Sequence, residues 1–189
     1  MRLALALTVL AQAYSTAPLA EPATPLRIAV LGDSNSAPDA YFDAWHELLT
    51  LALPHVATSW HGWSGATACG DGVTQALAAR QTRPDLVLVM LGTNDVDWQP
   101  VGTVCQAYDA IRATLAPTPV LFIRPPPVVP WGDKDPAAIA LHNAAIDALP
   151  CDVETAGLWD AGHYRLPVDG IHLDGEGQTV LAALVRDAL

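Results

Sequence analysis

Four short segments of this chain concentrate reactive or hydrogen-bonding side chains among glycines: Gly32-Asp33-Ser34-Asn35-Ser36, Gly62-Trp63-Ser64-Gly65, Gly92-Thr93-Asn94-Asp95 and Asp169-Gly170-Ile171-His172. A serine hydroxyl is a weak nucleophile until a base takes its proton. A histidine is a suitable base, and a carboxylate can hold its imidazole in one tautomer. Attack on a carbonyl also places negative charge on oxygen, which backbone N–H groups and a side-chain amide can receive. The four segments therefore hold the parts of nucleophilic acyl transfer, provided that the fold gathers them.

The elements between them suit that task. Leu26 to Leu31 is a short apolar run stopped by Gly32, the pattern of a strand buried on both faces. Leu86 to Leu91 repeats it before Gly92, and Val120 to Ile123 repeats it before Arg124-Pro125. Val56 to Trp60 and Cys151 to Glu154 are weaker strand candidates, and helical stretches are predicted near 39–53, 72–82, 104–115, 135–148 and 175–188. Alternation of strand and helix predicts an α/β fold, three-layer α/β/α, with a central parallel sheet of about five strands in a flavodoxin-like arrangement. Ligands then bind outside the carboxyl ends of the strands, where Ser34 and Asn94 fall.

In this order, the four segments resemble the signature blocks of the SGNH (GDSL-type) hydrolase family, over residues 32 to 172. The resemblance implies a serine ester hydrolase that needs no cofactor. It makes Ser34 the nucleophile, His172 the base and Asp169 the residue that orients it. It assigns the oxyanion hole to the backbone N–H groups of Ser34 and Gly65 and the side-chain amide of Asn94. Gly62-Trp63-Ser64-Gly65-Ala66 nearly fits a G-x-S-x-G nucleophile elbow, so Ser64 is the rival nucleophile, although Ala66 stands where the last glycine belongs. Asp33 and Asp95 are expected to shape their loops through local hydrogen bonds. A metal site of His163, Asp169 and His172, with His61 nearby, fits no metal-binding spacing, so no metal is expected.

The family resemblance leaves several activities open. Short-chain carboxylesters and O-acyl groups of carbohydrates are the preferred substrates, because a small chain without an inserted lid suggests an open cleft. Lysophospholipase, thioesterase and acyltransferase activities use the same blocks, and a non-catalytic carbohydrate-binding module is the alternative from another functional class. Of the six tryptophans, Trp63, Trp98 and Trp131 fall in loops beside these blocks and could contact substrate, whereas Trp45 and Trp159 read as packed. Arg124, at a strand end, could meet a substrate carboxylate or form an ion pair.

With 189 residues, 51% of them apolar, the chain is long enough for one core and short for two. The N-terminus has one arginine and then an apolar run ending in small residues, the layout of a signal peptide over residues 1–20 with cleavage after Ala13 or Ala20. A hydrolase domain over 26–189 would follow, secreted or periplasmic, without a stable membrane anchor. Net charge is −11, and loss of Arg2 with the leader leaves 8 basic against 20 acidic residues. Nucleic acid is excluded as a partner on that balance, since phosphate binding needs basic patches; a small-molecule or glycan ester is the expected partner. In an oxidising compartment the three cysteines predict one disulfide, Cys69 with Cys105, each a short way beyond a proposed site loop, and a leftover Cys151.

Overall fold

The computed structural model describes residues 24–38, 42–155, 158, 161–165 and 168–189. The leader expected over residues 1–20, with both expected cleavage sites, lies outside the described residues, as does Trp159. Among the described residues no helix is long and apolar enough to cross a membrane.

Four parallel strands form the sheet: β1 (Leu26–Gly32), β2 (Val56–Trp60), β3 (Leu86–Met90) and β4 (Val120–Phe122), in the order β2-β1-β3-β4. Where the fifth strand was expected, Val153 makes a single parallel bridge to Ile123. The strands are apolar on both faces because both faces are covered. Ala29, Leu31, Val87 and Val89 pack into a core with side chains of α2 (Ala68–Gln81) and α3 (Val101–Leu115). The alternate residues Ile28, Val30, Leu88 and Met90 face α1 (Trp45–Ala52) and α5 (Gly175–Ala188). The result is a three-layer α/β/α sandwich, with α4 (Pro136–Asp147) following the proline-rich loop after β4.

Strand order reverses between β1 and β3, and at such a switch point the connections leave in opposite directions and open a crevice. Ser34 follows β1 and Asn94 follows β3, so both stand at its mouth.

Two glutamines fix the end of β1. The Gln75 side chain, fully buried on α2, accepts from the Gly32 N–H at 2.9 Å and donates to the Gly32 carbonyl at 3.1 Å. Gln178 on α5 accepts from the Trp45 N–H at 2.9 Å and donates to the Asn35 carbonyl at 3.1 Å. The loop after β1 is thus held from both helical layers. Gln75→Leu, which keeps the bulk and removes both bonds to Gly32, is expected to lower the free energy of unfolding by roughly 2–4 kcal/mol in urea titration; a loss below about 0.5 kcal/mol would contradict this role.

α2 starts at Ala68, four residues before the start expected from sequence, because its first turn is capped from two places. The Thr67 hydroxyl accepts from the Gly70 N–H at 3.0 Å, and the Asp95 carboxylate, arriving from the loop after β3, accepts from the N–H groups of Ala68 and Cys69 at 2.7 and 3.0 Å. Asp95 therefore makes the expected backbone bonds, but to a segment distant in sequence.

The expected Cys69–Cys105 disulfide does not form: Cys69, Cys105 and Cys151 are free thiols. Cys69 is turned to the Asp95 carboxylate instead; burial, together with that hydrogen bond and charge, pushes its thiol up to about 12. Burial likewise raises Cys151, which lies beside Tyr108, to about 12.

Candidate active site

Asp33 caps a single 3-10 turn, Ser34–Ser36, that begins as soon as β1 ends. Its carboxylate accepts from the Asn35 N–H at 3.0 Å, which tightens the turn and leaves the partly exposed Ser34 side chain at its start. The rest of the turn is locked below. Ser36 Oγ accepts from the Trp45 indole N–H at 3.0 Å, and Asn35 Oδ1 accepts from the Leu173 N–H at 3.2 Å. The second of these ties the turn to the loop that carries His172.

His172 Nε2 lies 2.9 Å from Ser34 Oγ, although the two are 138 residues apart in sequence. Its Nδ1 lies 3.1 Å from Asp169 Oδ1. That same oxygen accepts from the backbone N–H groups of Ile171 and His172 at 2.9 and 2.7 Å. Burial opposes ionisation of Asp169, but these backbone bonds and the imidazole outweigh it and hold the carboxyl below its ordinary range. An ionised Asp169 favours the tautomer with the proton on Nδ1, which leaves Nε2 free to accept the Ser34 proton. Side-chain exposures of 33% for His172 and 23% for Asp169 leave the pair reachable by a ligand while limiting water around it.

The other two segments close on this pair. A Cβ on Gly62 would lie 2.3 Å from the Gly32 carbonyl, so only glycine lets the loop after β2 cross so near the end of β1. Asn94 Nδ2 donates to the Ala66 carbonyl at 3.0 Å and, more weakly, to Asp33 Oδ2 at 3.4 Å. Asn94 is thereby fixed against the loop of Gly65 on one side and the turn of Ser34 on the other. Gly65 is exposed, with a φ of 78° and open space where a Cβ would stand.

Asp33 is almost wholly buried. Burial pushes its carboxyl up to about 6, against the opposing effects of its bonds to Asn35 and Thr93 and of nearby His172; Asp95 adds to the rise. The unfolded chain loses this proton near the ordinary carboxylate value of 3.8, the folded chain near 6, so between those values the folded state holds more protons. Stability is therefore expected to fall, on the order of 3 kcal/mol, as pH rises from about 4 to 6, and to level off above. Comparing the unfolding free energy of the wild type and Asp33→Asn across that window checks this: the difference between them should change with pH below 6 and be constant above.

The remaining sequence candidates are placed as follows. Ser64 sits exposed in a turn, with no hydrogen bond to a histidine among the described residues. Trp63 and Trp98 are 42% and 83% exposed, and Trp131 is half-buried. Trp98 lines a cleft of about 310 Å³ beside Asn94, Thr67 and Cys69, and Trp131 lines another beside Ile171. Trp45 is fully buried. Arg124 is committed to structure: it binds both carboxylate oxygens of Glu154 at 2.6 and 2.8 Å and the Ile146 carbonyl at 2.6 Å. His61 bonds Ser59, and no group of three or more His, Cys, Asp or Glu side chains able to hold a metal occurs among the described residues.

Sequence reading did not single out Gln75, Gln178 or the pairing of His142 with Asp97, whose Nδ1 and Oδ1 lie 2.9 Å apart. Each couples segments dozens of residues apart and leaves no local pattern.

A family model described as the GDSL-like Lipase/Acylhydrolase family matches residues 30–180. No curated protein matches the sequence. Among solved structures, the lipase/acylhydrolase from Enterococcus faecalis is similar at 21% identity with a TM-score of 0.62, over 85% of this chain and 93% of the other. The psychrotrophic esterase EstA from Pseudoalteromonas sp. is similar at 19% identity and a TM-score of 0.62, over 86% and 96%. The acetyl xylan esterase AlAXEase is similar at 16% identity and a TM-score of 0.64, over 86% and 99%.

Proposed function

Because the chain belongs to the GDSL-like Lipase/Acylhydrolase family, we propose that it is a serine hydrolase that works through an acyl-enzyme, and that its substrates are short-chain carboxylesters or O-acyl groups of carbohydrates. The observation that carries the reading is the continuous line from Ser34 Oγ through the His172 imidazole to the Asp169 carboxylate.

In this mechanism Ser34 Oγ attacks the ester carbonyl carbon as its proton passes to His172 Nε2. The imidazolium is stabilised by Asp169, which stays ionised. The carbonyl oxygen, now negative, takes hydrogen bonds from the Ser34 and Gly65 N–H groups and from Asn94 Nδ2. Asn94 gives up its 3.4 Å bond to Asp33 for this and keeps the shorter one to Ala66. His172 then protonates the departing alkoxide. In the second half a water, deprotonated by His172, attacks the acyl carbon and Ser34 leaves with the proton. Asn94→Ala is expected to lower kcat about 10²- to 10³-fold with KM nearly constant, since its amide acts on charge that exists only in the transition state. A loss confined to KM would remove Asn94 from that role.

The small clefts beside Asn94 and Ile171 support short acyl and compact alcohol groups over long lipid chains. Export to the periplasm or medium is part of the proposal, and the signal-peptide layout of residues 1–20 supports it. The test is a panel of esters graded from acetate to dodecanoate on simple alcohols and on sugars, with a lysophospholipid and an acyl thioester alongside. The reading predicts the highest kcat/KM on acetates, and preference for the lysophospholipid or thioester would overturn the substrate assignment. Release of acid in water, rather than transfer to added sugar, separates hydrolase from acyltransferase.

A further inference from the structure

The helix after the nucleophile loop carries a second histidine that the mechanism above does not use. His46, in the first turn of α1, is 3% exposed. Its Nε2 lies 3.0 Å from the carbonyl of Ser36, the last residue of the turn that Ser34 begins. We propose that His46 is a positioning residue for Ser34: its neutral imidazole holds the nucleophile's turn closed from beneath, and protonation of that ring opens the turn and switches the enzyme off in acid. The proposal rests on the Ser34–His172 reading above and adds a second histidine to its pH dependence.

The partner of His46 sets its tautomer. A carbonyl oxygen can only accept, so the proton of the neutral ring stands on Nε2. Nδ1 is buried and has no hydrogen-bond partner among the described residues. Trp60 of β2 stacks on the ring, with 5.6 Å between centroids and 11° between planes, and Trp45 meets it edge-on at 5.6 Å and 84°. The imidazole is thus clamped between indoles and makes one polar contact, the one to Ser36.

That contact reaches Ser34 through one rigid unit. The Ser36 carbonyl and the Ala37 N–H belong to the same planar peptide. This N–H donates to the Ser34 carbonyl at 3.3 Å and closes the turn. His46 therefore fixes the peptide plane at one end, and the plane aims its N–H at Ser34 from the other. A bond of 3.3 Å is long, so the turn depends on the plane being held from outside. The Trp45 indole grips Ser36 a second time, at Oγ, and a Cβ on Gly32 would lie 2.7 Å from that same oxygen. On the other side of the ring, Trp60 presses on the loop of Gly65: a Cβ on Gly62 would lie 2.2 Å from Trp60 Cη2. A displaced His46 ring would be felt at the N–H of Ser34 and, through Trp60, at the loop of the second oxyanion donor.

A second proton on the imidazole would stand on Nδ1, a charged donor without an acceptor in a site closed to water, which is costly. Burial accordingly holds the imidazole below its ordinary value of 6.5, against the Ser36 carbonyl and Glu47, which favour the charged form. Ser36, Trp45 and Trp60, the groups packed on the ring, do not ionise in this range; Glu47, on α1, is the charge that acts on it, and its carboxylate already accepts from the Ala44 N–H at 2.8 Å. The backbone cannot follow the ring, because the Thr50 and Thr58 hydroxyls lie 3.2 Å from the His46 carbonyl and anchor it. The protonated ring is relieved by turning away from Ser36. The neutral, competent form prevails above the folded-state value, and activity is lost as pH falls through it. Asp33, which caps the same turn, and His172 also take up protons in acid, so His46 is isolated by a variant that lacks only its titration.

The experiment measures kcat and KM on 4-nitrophenyl acetate over about pH 4 to 8 for the wild type, His46→Gln and His46→Leu, with circular dichroism at each pH to confirm folding. Glutamine can bring an amide N–H to the Ser36 carbonyl and takes no proton, whereas leucine removes the donor. At neutral pH His46→Leu is expected to lose about 10- to 100-fold in kcat with KM nearly constant, and His46→Gln to recover to within about threefold of the wild type. In acid, log kcat of the wild type should fall about one unit per pH unit more steeply than that of His46→Gln. Acid limbs of equal slope would overturn the proposal even if His46→Leu fails to fold. Glutamine as slow as leucine at neutral pH would overturn it too, since the ring and not its N–H would then matter. Imidazole ¹⁵N shifts of the wild type read the tautomer without any variant: a proton on Nε2 of His46 is expected, and one on Nδ1 would contradict the account. A wild type inactive on the ester would overturn the Ser34–His172 reading and this proposal with it, an outcome distinct from an active enzyme whose acid limb ignores His46.

Discussion

Ser34→Ala is expected to lower kcat for acetate esters about 10⁴-fold or more, leaving the residual rate that oxyanion donors and substrate binding give without a nucleophile. The variant should fold as the wild type, because the Ser34 side chain makes a single hydrogen bond, to His172, and is partly exposed. Ser64→Ala is expected to keep kcat within about twofold, as surface substitutions away from structural features are near neutral. Steady-state kinetics on 4-nitrophenyl acetate would compare the two. Full activity in Ser34→Ala together with loss in Ser64→Ala would move the nucleophile to the elbow-like segment.

Asp169→Asn is expected to cost at least about 10²-fold in kcat, because a neutral amide whose oxygen keeps the place of Oδ1 against Nδ1 no longer stabilises the imidazolium that forms on proton transfer. The asparagine oxygen can still accept from the Ile171 and His172 N–H groups, so the loop should keep its shape. Asp169→Ala removes those bonds as well and should lose stability in addition to rate. The stabilising effect of Asp169 has a definite pH sign. Its folded-state value is depressed, so the contribution is complete above the ordinary carboxylate value of 3.8 and is lost as pH falls through the folded value. A kcat for Asp169→Asn within tenfold of the wild type would show that the His172 ring is oriented by other groups.

Much of this architecture was readable from periodicity. Leu26 to Leu31 and Leu86 to Leu91 are apolar at consecutive positions, and both became inner strands because helices cover them on each face. The glycines that end these runs mark where the chain turns out of the sheet, so the loops of Ser34 and Asn94 could be assigned to the same edge. The gathering of His172 with Ser34 came from resemblance of the four blocks, since nothing local relates residues 138 positions apart. What stayed hidden was longer-range support: Gln75 clamping Gly32, Asp95 starting α2, and His142 pinning Asp97. The cysteine expectation failed for a similar reason. An expected oxidising compartment and the place of both residues just beyond site loops favoured pairing Cys69 with Cys105, but the Cys69 side chain meets Asp95, which caps the helix that carries it.

The central claim is that Ser34 is the nucleophile activated by His172. A fluorophosphonate forms a covalent bond only with a serine whose proton is withdrawn, and mass spectrometry of the digested protein locates the adduct. The account predicts one adduct, on the peptide containing Ser34, formed by the wild type and lost in His172→Ala. An adduct on Ser64, or none on protein that hydrolyses acetate esters, would contradict it.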